Sequence, residues 1–376
     1  MDRVRVGIIG SAFSSNLHLE ALREVPEAIV TAACSQNPAH VEEFARRWRI
    51  PAAATDYREL LERKDVDVVI VGIPNDLHCE VTVAAAEAGK HVILEKPIAH
   101  TLADANIIVA ACDDHHVKLM YAETLCFCPK YVRAKQLVDE NAVGNVYMLK
   151  QSEKHSGPHS AWFYDVRRSG GGSIMDMGCH GIEWARWMYG KRRVKSVFAH
   201  CQRVLHTERT HGEDNSVVLI EFEGGGIAEI EDSWARYGGM DDRIEIYGTE
   251  GAIYCDLLHG SSMETYSQKG YGYAVEKADE TRGWTFSVFE ETHLYGFPHE
   301  MRHFINCIQN GEEPMETGRD GLATLEVIYA AYESAGTGRR ITWPYVPKSP
   351  GEVPVNLWLD ANSSFGPEHR NQPVER

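Results

Sequence analysis

Short apolar runs alternate with helical periodicity over the first 123 residues. The runs at 4–9, 29–34, 66–71, 91–94 and 117–121 read as strands, and the stretches beginning near Ser15, Pro38, Tyr57, Leu77 and Leu102 repeat their apolar positions at helical spacing. Strands separated by helical segments of this length pair in parallel, because a parallel neighbour is reached only by a crossover. A doubly wound parallel sheet is therefore expected. From about residue 144 the pattern changes to β-rich segments at 145–153, 193–203, 216–223, 226–234, 243–247 and 252–257. Gly-rich turns such as Glu223-Gly224-Gly225-Gly226 suit hairpins, so this half is expected to form an α+β domain on an open, mainly antiparallel sheet. Helical periodicity returns at 298–309 and 321–336.

Composition narrows the class. The chain has 376 residues, 43% hydrophobic and 25% charged, which excludes collagenous, low-complexity and disordered readings. Its net charge of −17 repels nucleic-acid backbones and anionic lipid surfaces, so neither is an expected partner. No apolar run approaches the roughly 20 residues that cross a bilayer. The first strand starts at Val4, leaving no room for a secretory leader, and nine Cys without a Cys-x-x-Cys pair read as reduced thiols of a cytoplasmic protein. Six Pro between residues 344 and 376 suggest an extended arm over 346–376, whose Val355, Leu357, Trp358, Leu359 and Phe365 are expected to cover a neighbouring subunit.

The first strand runs into Gly10-Ser11-Ala12-Phe13-Ser14-Ser15 and a helix, a place where backbone N–H groups and the helix dipole hold a pyrophosphate. Only the first glycine of a GxGxxG pattern is kept; Ala12 and Ser15 replace the others. Where such folds offer a carboxylate to the ribose 2′-hydroxyl, this chain has Ser35-Gln36-Asn37. The choice between NAD and NADP stays open, with Arg46 and Arg47 the nearest cations in sequence.

Three further segments act together: Ile73-Pro74-Asn75-Asp76-Leu77-His78, then Ala88 to Pro97 (AGKHVILEKP), then Gly170 to His180 (GGGSIMDMGCH). The combination resembles the Gfo/Idh/MocA oxidoreductases over about residues 3 to 345. That resemblance implies an N-terminal Rossmann domain at 1–123 and a substrate-binding and oligomerisation domain at 124–345, assembled as a homodimer or homotetramer. It implies that Gly10, Ala12, Phe13 and Ser15 line the pyrophosphate turn and that Ser35 meets the adenosine ribose. Pro74, Asn75 and His78 would wall the cofactor, and Glu95, Lys96 and Pro97 would set Lys96 beside nicotinamide and substrate. His18 also fits the family pattern.

Oxidising a secondary alcohol removes a hydride from carbon and a proton from oxygen, so the site needs a base and a cation. Lys96 is the expected cation. Asp176 and His180, four apart on a helical segment, share a face, with His180 as proton acceptor and Asp176 orienting the hydroxyl. The Gly170-Gly171-Gly172 run is expected to bring the backbone close to substrate. Trp162, Tyr164 and Arg167 offer stacking faces and polar heads suited to a carbohydrate ring. The segments Ser233-Trp234-Ala235-Arg236 and Tyr271-Gly272-Tyr273 add aromatic groups without a fixed place. Gly157-Pro158 deprives the His155/His159 spacing of geometric meaning, His299 and His303 are helically spaced, and Cys126 and Cys128 lie on alternate sides if extended; a nicotinamide mechanism requires no metal, and none is expected. The reading is an NAD(P)-dependent oxidoreductase acting on a sugar, glycoside or cyclitol. Its rivals are a cofactor-recycling glycoside-modifying enzyme and a ligand-sensing regulator.

Overall fold

The computed structural model describes residues 3–258, 263–268, 270, 281–287 and 291–361. The chain divides into two units, Met1–Phe127 with Gly296–Leu325, and Cys128–Tyr295 with Glu326–Arg376.

In the first unit, β1 (Val4–Ile9), β2 (Ala28–Cys34), β3 (Ala52–Ala54), β4 (Val68–Val71), β5 (His91–Glu95) and β6 (Leu119–Ala122) form one sheet. Its order is β3-β2-β1-β4-β5-β6, and every pair is parallel. The crossovers are α1 (Phe13–Leu22), α2 (Pro38–Trp48), α3 (Tyr57–Leu61), α4 (His78–Glu87) and α5 (Leu102–Asp114). β4 is buried at all four positions, as a parallel strand covered on both faces must be, and its unbroken Val and Ile run follows from that. β3 escapes sequence reading because three alanines carry no β signal.

The second unit holds α6 (Pro129–Asp139), β7 (Val146–Lys154), α7 (Val166–Ser169), α8 (Cys179–Met188), β8 (Val194–Gln202), β9 (Asn215–Phe222), β10 (Ile227–Ser233), β11 (Asp241–Gly248) and β12 (Gly251–Asp256). A short pair, β13 (Met263–Ser267) and β14 (Gly283–Ser287), and α9 (Glu291–Tyr295) follow. Its large sheet runs β12-β11-β7-β10-β9-β8-β15, with β15 at Ile341–Thr342. All pairs are antiparallel except β10 with β7. Gly224, Gly225 and Gly226 all have positive φ between β9 and β10, which completes the expected hairpin.

Two expectations change. Residues 296–325 belong with the first unit, although the sequence boundaries place them in the second domain. Helix α10 (Phe297–Asn310) lays its buried Met301, Phe304 and Ile305 inward and packs against α1; Arg302 Nη2 donates to the Glu24 carbonyl at 2.9 Å. The division falls within α11 (Gly318–Thr337). The arm is also not extended along its described length. Residues 350–361 turn back onto their own unit and form one helical turn, α12 (Asn356–Leu359). Val355, Trp358 and Leu359 are buried there, Tyr329 donates to the Glu352 carbonyl, and the Val355 N–H donates to the Gly170 carbonyl. The apolar residues that needed a surface find it within the same chain. Phe365 and the Tyr271-Gly272-Tyr273 segment lie outside the described residues.

Candidate active site

In the first unit the strand order reverses between β1 and β4, the switch point at whose carboxyl ends open α/β sheets bind ligands. Gly10 leaves β1 with φ of 116°, and a Cβ there would stand 2.0 Å from the Gly72 carbonyl oxygen, so only glycine fits. Ala12 precedes α1 without a side-chain cap, and the first turn carries no acidic residue, so no side chain of that turn caps or neutralises the helix N-terminus. Phe13 is exposed. Ser15 is fully buried, yet its hydroxyl has no hydrogen-bond partner. A close glycine turn, an open helix end and an orphaned buried hydroxyl fit a dinucleotide pyrophosphate. Ser35 follows β2 and its N–H donates to the Ala54 carbonyl.

The next strand ends supply the rest. His78 is completely buried and spans two loops: Nδ1 lies 3.0 Å from the Pro97 carbonyl oxygen and Nε2 3.0 Å from that of Ile73. Burial holds its pKa below the usual imidazole value, and a neutral ring donates to one of the two carbonyls. His78 thus ties the end of β4, with Pro74 and the buried Asn75, to the end of β5. At that end Glu95 Oε1 meets His18 Nε2 at 2.7 Å, while Oε2 accepts the Lys96 N–H at 3.1 Å. Both oxygens of Glu95 therefore hold structure around half-buried Lys96, which the cis Lys96–Pro97 bond follows.

In the second unit Asp176 lies within a π-helical turn, Ile174–Gly178, that runs directly into α8. Such turns widen a helix locally and recur at functional sites. The indole N–H of fully buried Trp234 donates to Asp176 Oδ2 at 3.0 Å. His155 Nδ1 accepts the Gly157 N–H at 3.0 Å, which leaves the proton of its neutral ring on Nε2, 4.0 Å from Asp176 Oδ2. His180 is half-buried in the first turn of α8. Asp232 is fully buried with neither carboxyl oxygen hydrogen-bonded, and burial pushes its pKa well above the ordinary carboxylate value.

The glycine run has a different purpose from the expected one. A Cβ on Gly172 would stand 1.7 Å from the Glu213 carbonyl oxygen, and one on Gly171 would stand 2.1 Å from the Tyr332 hydroxyl. These glycines admit the protein's own groups. The three expected substrate residues have different surroundings. Tyr164 is buried against Trp234 and Met177, and the Arg209 guanidinium lies 4.0 Å over its ring. Trp162 stacks on Phe163 at 3.8 Å. Arg167 is exposed and paired through two nitrogens with Asp165, whose carboxyl it holds below the usual range.

Residues 4–123 match the model described as an oxidoreductase family with an NAD-binding Rossmann fold, and residues 131–254 match the GFO/IDH/MocA C-terminal domain. The chain belongs to the Gfo/Idh/MocA oxidoreductases. It is 27% identical to the myo-inositol 2-dehydrogenase of Thermotoga maritima, over 90% of this chain and 98% of that enzyme. It is 28% identical to the NAD(+)-dependent scyllo-inositol 2-dehydrogenase of Bacillus subtilis, over 89% and 95%. Among solved structures, that of GenD2 from gentamicin A biosynthesis in complex with NAD superposes with a TM-score of 0.86 at 29% identity, covering 92% of this chain and 97% of that one.

For this Gfo/Idh/MocA chain, sequence reading missed Glu213 and Tyr332 and left Trp234 unplaced. A partial signal existed for the neighbouring Asp214. The inward alternation of Ser216, Val218, Ile220 and Phe222 extends back to it, and its buried carboxylate accepts the N–H groups of Val204, Leu205 and His206.

Proposed function

We propose that the protein oxidises a secondary hydroxyl of a sugar, glycoside or cyclitol, or reduces the corresponding ketone, with Lys96, Asp176 and His180 at the reacting atoms. The observation that carries this reading is the orphaned Ser15 hydroxyl beside the Gly10 turn, two strands along the sheet from the β5 end that presents Lys96. Gly10, Ala12, Phe13 and Ser15 would hold the pyrophosphate of NAD or NADP, Ser35 the adenosine ribose, and Pro74, Asn75 and His78 the wall. When bound, the nicotinamide supplies the hydride acceptor. Lys96 stabilises the developing alkoxide, His180 takes the hydroxyl proton, and Asp176, fixed by Trp234, orients that hydroxyl. The inositol dehydrogenases that it resembles favour a polyol ring as substrate. Trp162 and Tyr164 would contribute ring surface. Arg167, committed to Asp165, would reach substrate only by exchanging that partner.

We propose a cytoplasmic homo-oligomer. Nine free thiols support the compartment, and exposed Phe198, Leu219 and Ile227 on the large sheet support the assembly. Among the described residues no helix is long and apolar enough to cross a membrane.

The test follows the near-ultraviolet absorbance of reduced nicotinamide, with inositols, sugars and glycosides offered alongside NAD and NADP. Reduction with at least one polyol is expected, and Lys96→Ala and His180→Ala should each lose about 10²-fold or more in kcat. Silence across the panel with both cofactors, or near-normal kcat in both variants, would overturn the reading.

A further inference from the structure

We propose that Glu213 is a positioning residue that clamps the backbone of the turn carrying Asp176. This rests on the reading that Asp176 acts at the substrate. Glu213 is fully buried at the end of the β8–β9 connection. Its Oε1 accepts the Ile174 N–H at 2.9 Å, its Oε2 accepts the Gly172 N–H at 3.2 Å, and its own carbonyl oxygen accepts the Ser173 N–H at 3.0 Å. One residue thereby takes three consecutive N–H groups, ending two positions before Asp176. The Tyr332 hydroxyl, 2.8 and 2.9 Å from the two carboxyl oxygens, donates to the same carboxylate from α11 and receives the Gly172 N–H at 3.1 Å.

The clamp follows from the donor inventory. The first N–H groups of a helical segment have no partner within it and need an acceptor. A π-helical turn begins here with no side-chain cap of its own, because the Ser173 hydroxyl accepts no capping bond from its first N–H groups. The Glu213 carboxylate, brought in from another part of the chain, fills that need. Gly171 and Gly172 are small because the clamp occupies the volume that a Cβ would take. A carboxylate that accepts three donors fixes direction as well as distance, and a turn released by an ångström moves Asp176 off its substrate hydroxyl.

Glu213→Gln tests this at nearly constant volume. The amide presents NH2 where one oxygen now accepts an N–H, so two donors meet and the turn must shift. At about pH 8, where the native carboxyl is ionised, kcat should fall about 10²-fold. The KM for the nicotinamide cofactor should stay within about twofold, since no cofactor contact is touched. Tyr332→Phe, which keeps both N–H contacts, should fold and lose about tenfold in kcat. Asp176→Asn serves as the reference: if the clamp acts through Asp176, adding Glu213→Gln to it costs little more. Unchanged kcat in both Glu213→Gln and Tyr332→Phe, beside an impaired Asp176→Asn, overturns the clamp alone. So does a full multiplicative loss in the double variant. If Glu213→Gln fails to fold, Tyr332→Phe and its double variant with Asp176→Asn decide on the same terms. Full turnover by Asp176→Asn overturns the reading of the site beneath it, and the clamp with it.

Discussion

The molecule has two glycine-rich turns that look alike in sequence and are used in opposite ways. At Gly10 the backbone crowds Gly72, while the helix end beyond it carries no cap and the Ser15 hydroxyl no partner. At Gly171 and Gly172 the missing side chains make room for Tyr332 and Glu213, which accept the N–H groups of Gly172, Ser173 and Ile174. Glycine therefore does not by itself announce a ligand. The difference lies in whether the protein supplies its own acceptor: where it does, the turn is a pedestal; where it leaves a buried hydroxyl unanswered, the turn fits the receptacle proposed above.

The largest effect should come from filling the two turns. Gly172→Ala drives a methyl into the Glu213 carbonyl, and Gly10→Ala drives one into Gly72 at an unfavourable φ. Each should cost on the order of 4 kcal/mol in denaturant unfolding. Saturating NAD or NADP should still raise the melting temperature of Gly172→Ala but not that of Gly10→Ala, because only the first keeps its receptacle. Equal cofactor protection of both variants would erase the distinction.

The second effect is electrostatic. Burial pushes the Glu213 carboxyl up from its ordinary 4.5 to about 7. Between those values the folded protein binds a proton that the unfolded chain has released, so stability falls as pH rises. The contribution is fully present below about pH 4.5 and is gone above about pH 7, an amount on the order of 3 kcal/mol. Denaturation curves across that range should be steeper with pH for the native protein than for Glu213→Gln. Parallel curves would show that Glu213 titrates normally. The Gly10 turn, with no buried carboxyl, contributes no such slope.

This contrast also explains what was legible in the sequence. Apart from β3, the Rossmann unit could be read because its strands are contiguous apolar runs and the residues expected to face the cofactor lie at or just after the strand ends, as Gly10, Pro74 and Lys96 do. The placement of 296–325 could not, since an amphipathic helix such as α10 says that it covers an apolar surface but not which one. The same limit applied to 350–361, whose apolar residues demanded burial without naming a partner. Glu213 stayed hidden because it lies 39 positions from Ile174, and a single carboxylate in a loop has no periodicity to betray it. Trp234 and Tyr332 resemble any other core aromatics until their polar atoms are placed.

A third, smaller effect concerns the ribose. Ser35→Asp should shift preference toward NAD by about tenfold, since a carboxylate accepts from the 2′-hydroxyl and repels a 2′-phosphate. An unchanged ratio of kcat/KM for the two cofactors would place the ribose elsewhere.

The smallest effect separates the two turns most sharply. Ser15→Ala removes a hydroxyl that is buried and unbonded in the protein alone, and burying an unsatisfied hydroxyl is itself unfavourable. The cofactor-free variant should therefore melt at or slightly above the native temperature. If the hydroxyl donates to a bound pyrophosphate, losing it should weaken NAD or NADP binding by about fivefold, near 1 kcal/mol, in a direct titration. Tyr332→Phe should behave in the opposite way, because its hydroxyl already serves Glu213 and Gly172: lower stability without cofactor and unaltered cofactor affinity. A Ser15→Ala protein that melts as far below the native one as Tyr332→Phe does would mean that Ser15 serves the fold. The first turn would then be a pedestal like the second.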